Sequence, residues 1–171
     1  MKTYSIGRPT LFGELEAGSC FAFRRDAQEG RNYVAIKTMA NVFGKPYSGA
    51  VAIWPGHPKL RHLPGMCPGS LFVGPVIHFP DARIIASTSA QDLAPGPAGN
   101  ETPGFLIYGG KLIAIAKNGE DGNWAVDLAT GAILPSPNSE PAVYISRWSI
   151  TVQGPDSGEV EIICTWPEEA D

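Results

Sequence analysis

The chain has 171 residues, 43% of them hydrophobic and 18% charged, with a formal net charge of −4. That length and apolar content suit one domain, or two very small ones, whose core needs neither disulfides nor metals. The acidic balance excludes the basic stripe of a nucleic-acid binder, because the densest basic clusters, Arg24–Arg25 and Lys59–Arg61, are short.

Short apolar runs rich in β-branched and aromatic residues recur along the chain and predict strands. They are "CFAF" (20–23), "NYVAIK" (32–37), "AVAIW" (50–54), "SLFVGPVIHF" (70–79) and "RIIAS" (83–87). After a loop come "GFLIYG" (104–109), "KLIAIAK" (111–117), "WAVDL" (124–128), "AVYISRWSITV" (142–152) and "VEIICTW" (160–166). "NGEDGN" (118–123) and "GPDSG" (154–158) carry the residues of hairpin turns. The best helical stretch is "STSAQDLA" (87–94), one turn capped by Ser87 or Thr88 and stopped by Pro95. Glycine (20) and proline (16) make about a fifth of the chain and are spread throughout it, the composition of a turn-rich all-β domain.

The stretch "TSAQDLAPGPAGNETP" (88–103) is small, polar and Pro/Gly-rich, and lies near the middle. It predicts a connector between a first β unit (1–87) and a second (104–171), packed as one body or as two subdomains. The halves echo each other: Ala35 of "YVAIK" and Ala50 of "AVAI" correspond to Ala114 of "LIAIAK" and Ala125 of "AVDL". A duplicated small β unit explains that echo. The expected fold is all-β and mainly antiparallel, barrel-like or a sandwich.

Phe12, Leu15, Gly18 and Phe21 form an F-x-x-L-x-x-G-x-x-F pattern, followed by Tyr33 and Lys37 and, in the second half, by "AVDLATG" (125–131). This resembles short uncharacterised bacterial and phage β-domain proteins. The resemblance covers residues 10–53, with a fainter echo at 104–131. It implies a compact β module of phage or mobile-element origin and transfers no activity. In physical terms, Phe12 and Leu15 anchor an extended segment and Gly18 supplies a turn at positive φ.

Catalytic signatures are weak. His57, His62 and Cys67 are spaced as H-x4-H-x4-C, which departs from the ligand pairing and count of a structural zinc site. His78 or Asp81 complete a set only through tertiary folding. Ser70 with His78 and Asp81, or Cys67 with a histidine, have the residue types of a nucleophilic site but no G-x-S-x-G elbow. The carboxylate pairs Glu14/Glu16 and Glu159/Glu161 fit the polar faces of half-exposed strands. "NGEDGN" lacks the length and closing Glu of a calcium loop. Phosphate-cradling glycine motifs are missing from the sequence. We therefore expect no cofactor and no metal.

A non-enzymatic binding protein remains, its partner another protein; a phage accessory protein that inhibits a host protein fits the resemblance. Alternatives are a small metal-dependent enzyme using His57, His62, Cys67 or His78, and a carbohydrate-binding module using tryptophans. Trp54 and Trp166 end strands, Trp148 is expected in the core, and Trp124 suits either setting. The rigid, Pro-rich stretch "WPGHPKLRHLPGMCPG" (54–69) carries Trp54, His57, Lys59, Arg61 and His62 and is the expected partner contact. Cys20, Cys67 and Cys164 are odd in number and widely separated, reading as reduced thiols of a cytoplasmic protein. The N-terminus has no secretory h-region, and apolar runs fall short of a membrane span. Many strand edges in an acidic chain also make a homodimer possible.

Overall fold

The alternating apolar runs become strands, because each places one side chain on either face of a sheet and both faces find cover. A computed structural model describes residues 7–24, 32–42, 44–54, 64–97, 104–119, 122–135, 141–153 and 160–166. The strands are β1 (Arg8–Leu11), β2 (Cys20–Phe23), β3 (Tyr33–Val42), β4 (Lys45–Trp54), β5 (Gly65–Pro68), β6 (Pro75–Phe79), β7 (Ala82–Ala86) and β8 (Leu93–Pro97). They continue with β9 (Gly104–Tyr108), β10 (Lys111–Lys117), β11 (Asn123–Asp127), β12 (Ile133–Leu134), β13 (Pro141–Ile145), β14 (Trp148–Gln153) and β15 (Val160–Trp166). The fold is all-β and mainly antiparallel.

Among the described residues, one large sheet runs β1-β6-β2-β3-β4-β5-β10-β9-β13-β8, with β11 and β12 attached beside β10. It does not close into a barrel. A second sheet, β15-β14-β7, packs on it. The first core cluster lies between them: Trp148, Ile150 and Cys164 of the small sheet meet Val34, Ile36, Val51, Ala114 and Val126 of the large one. Phe105 and Trp148 pack there with ring centroids 5.0 Å apart.

The two halves share a motif. β2–β3–β4 and β9–β10–β11 are antiparallel meanders whose middle strands are buried on both faces. The register differs, however. Val34 and Ile36 face the shared core while Ala35 faces an outer cluster with Phe12, Phe21 and Phe23. In β10 it is Ala114 and Ala116 that face the shared core, and Ile113 and Ile115 face outward. A one-residue slip exchanges the faces of a strand. In both halves the alanines lie under aromatic rings, which need small neighbours to pack at interior density.

Four expectations differ from the structure. The run 70–79 begins in a 3-10 turn at Gly69–Leu71 and is a strand only over Pro75–Phe79. The run 142–152 is two strands in two sheets: the chain leaves the large sheet after Ile145 and joins the small one at Trp148. The break is held by backbone bonds from Ser146 N to Asp92 O and from Ser87 N to Arg147 O, both 2.9 Å. Within the expected connector, Leu93–Pro97 form β8, paired with β13. Its prolines are tolerated because β8 is an end strand and needs donors on one side only. The helical stretch is reduced to a 3-10 turn at Ala90–Asp92, with the Ser87 hydroxyl 2.6 Å from the Asp92 carboxylate. The hairpin at 118–123 forms as expected, closed by Asn118 N bonding Gly122 O at 2.8 Å.

Candidate functional site

The residues of the leading pattern converge. Phe12, Leu15, Phe21 and Tyr33 share one buried cluster. Phe12 stacks on Phe72 at 4.3 Å and meets Phe21 edge-on at 5.5 Å. Lys37, at the middle of β3, is buried, and its ammonium donates to the carbonyl oxygens of Phe12 (2.9 Å), Gly13 (3.3 Å) and Leu15. The same ammonium lies 4.9 Å from the Phe12 ring centroid. Burial lowers its pKa from the ordinary lysine value, and the carbonyls replace its hydration.

The turn after β11 docks on this region. Gly18 sits at φ 86° and Gly131 at φ 67°, as the turns require. Gly18 N bonds Lys37 O at 2.9 Å, and Met39 N bonds Gly131 O at 3.2 Å. Asp127 organises that turn: its buried carboxylate accepts from Ala129 N and from Lys111 Nζ, each at 3.0 Å. Burial pushes the carboxyl up, but Lys111, the Ala129 N–H and the Thr130 hydroxyl outweigh it and hold it below the usual range. Its stabilising effect is therefore complete above the ordinary carboxylate pKa and is lost as pH falls through the lower folded value. Asp127→Asn is expected to cost about 2 kcal/mol at neutral pH. Urea titrations of both proteins should show the difference shrinking below about pH 4; a pH-independent gap would contradict the assignment.

The expected partner contact lies mostly outside the described residues: so do His57, Lys59, Arg61 and His62. Trp54 is half-buried at the end of β4, its ring against the shared core. Trp148 is in that core, and Trp166 packs against it. Trp124 is half-buried, edge-on to Tyr47 at 5.2 Å. Cys67, on β5, adds to the burial that pushes the Tyr47 hydroxyl up to about 12. His78, half-buried on β6, is held below the ordinary histidine value by burial and by Arg8, against the pull of Asp81. Ser70 is exposed in a 3-10 turn, and Asp81 is exposed after β6. Among the described residues, no three of His, Cys, Asp and Glu come together as a metal-binding group. Glu14 and Glu16 are exposed, and Glu159 lies outside the described residues. Cys20 and Cys164 are free thiols buried in the shared core, and burial raises the pKa of both.

The geometry instead builds a cleft of about 690 Å³ where the large sheet extends past the small one. Its floor is one face of β1, β6 and β2: Pro9 lies opposite Ile77, and Ile77 opposite Ala22, with Phe79 further along β6. Its wall is β15, through Glu161, Ile162 and Ile163. Arg24, where the chain leaves β2, stands at the rim. Ile77 is 40% exposed and Ile162 64%. Sequence patterning shows Ile77 and Ile162 as strand residues but not that they border one cleft, since β6 and β15 are far apart along the chain.

The fold and cleft define the class: an all-β protein of two packed sheets with an open apolar cleft between them. No family model matches the sequence, and no curated protein or solved structure matches it. No helix among the described residues is long and apolar enough to cross a membrane.

Proposed function

We propose that this chain is a non-enzymatic binding protein that holds another polypeptide in the cleft between β1–β6–β2 and β15. The observation that carries this reading is the apolar floor: Pro9, Ile77 and Ala22 form a row across three strands, and part of it faces water. Exposed, clustered apolar surface in a concave setting is what polypeptide partners cover. The resemblance of the leading pattern to phage and bacterial proteins supports a partner in the host, bound and inhibited by an accessory protein.

A capture experiment with three proteins tests this. Wild type and Val73→Glu, at a position 93% exposed and outside the cleft, are expected to retain the same host protein. Ile77→Glu is expected to lose it, with at least a tenfold drop in affinity, because a carboxylate on the floor must shed its hydration to bind the partner. Equal retention by all three would place the contact elsewhere and overturn the reading.

A further inference from the structure

The shape of the cleft says what form of polypeptide it fits. On β6 the lining residues alternate, Pro75, Ile77 and Phe79, so the cleft sees that strand face-on. On β15 they are consecutive, Glu161, Ile162 and Ile163. Glu161 is opposite Val152, which shares a face of β14 with the core residue Ile150, and so points toward the large sheet. Ile162 is opposite Thr151 and points the other way, and the register shift in this pair turns Ile163 inward to pack on the shared core. Residues from both faces of β15 thus border the cleft, as they do where a cleft runs along a strand's edge.

That edge is open. β15 ends its sheet and pairs only with β14 among the described residues. The vacancy is therefore bounded by the face of one sheet and the edge of another, the position a fourth strand of the small sheet would occupy. Two charged residues border it, Glu161, half-buried on β15, and Arg24 at the rim.

The geometry points to strand addition: an extended segment of a partner polypeptide pairs its backbone with the edge of β15. Its alternate apolar side chains lie on the Pro9–Ile77–Ala22 row, and a basic side chain meets Glu161. This rests on the binding function proposed above and specifies the form and charge of the partner.

The test begins with a random dodecapeptide library selected on the full chain, followed by synthetic copies of the enriched peptides. The expected peptides alternate apolar and polar residues and include a lysine or arginine. Methylating every second backbone amide nitrogen is expected to weaken binding at least tenfold in one phase and little in the other, because only one set of N–H groups faces β15. Glu161→Gln is expected to weaken binding about tenfold, with unchanged thermal unfolding showing that the variant folds. Peptides lost on Ile77→Glu but indifferent to methylation in both phases leave the cleft as a binding site and overturn strand addition. Peptides indifferent to Ile77→Glu overturn both readings. A chain that sediments as a dimer and dissociates on Ile77→Glu makes a second copy the occupant and overturns the proposal.

Discussion

Gly131→Ala is expected to destabilise the protein by about 3 kcal/mol, lowering its melting temperature by about 6–12 °C. Two costs combine. At φ 67° a side chain strains the backbone. The added Cβ would also press on the Lys37 carbonyl oxygen and lie 2.5 Å from Gly18 N. Both neighbours are backbone, so no side-chain rotation relieves the clash. Relief requires the turn after β11 to withdraw from β3, and that breaks the bond from Met39 N to Gly131 O. Scanning calorimetry of the two proteins measures the loss. Gly44→Ala is the control, because it shares a positive φ but meets nothing within 4 Å. It should cost about 1 kcal/mol. Equal losses at the two positions would show that strain alone acts and that the docked turn contributes nothing.

Lys37→Met is expected to cost a similar amount, about 3 kcal/mol, for an electrostatic reason. Methionine preserves most of the apolar stem and removes the ammonium. The buried carbonyl of Leu15 then loses the donor that Lys37 supplies, at a cost of about 1–3 kcal/mol, while the exposed carbonyl of Gly13 turns to water. The carbonyl of Phe12 keeps the bond from Leu15 N at 3.3 Å. The segment 12–15 should loosen before the sheet does, since the ammonium ties it to β3. Amide hydrogen exchange is the discriminating measurement: protection should fall at Leu15 while Ile36 and Val51 remain protected. Uniform loss of protection would mean that Lys37 supports the whole sheet rather than this segment.

Strands were legible where composition and pairing agree. "CFAF", "KLIAIAK" and "VEIICTW" match β2, β10 and β15 from end to end, because each run is largely apolar, with β-branched or aromatic residues on at least one face. β1, β5 and β8 were not legible. Their prolines argue against central strands, and each is instead a short strand at an end or junction of the large sheet, where a missing donor costs little. The change of sheet at Ser146–Arg147 left no mark either, because Asp92 and Ser87, far away in sequence, hold it.

The sequence by itself determined the all-β class, the positive φ of Gly18 and the hairpin at 118–123, since these depend on local conformational preference and alternation. Only the tertiary structure decided that Lys37 is buried, that the turn at 129–131 docks on Gly18, and that β15 and Ile77 border one cleft. Lys37 reads only as the last residue of "NYVAIK" until the carbonyls of Phe12, Gly13 and Leu15 are folded around it. The cleft depends on how the small sheet seats on the large one, through Trp148, Ile150 and Cys164 together with Ile163 and Phe79, which come from strands far apart along the chain.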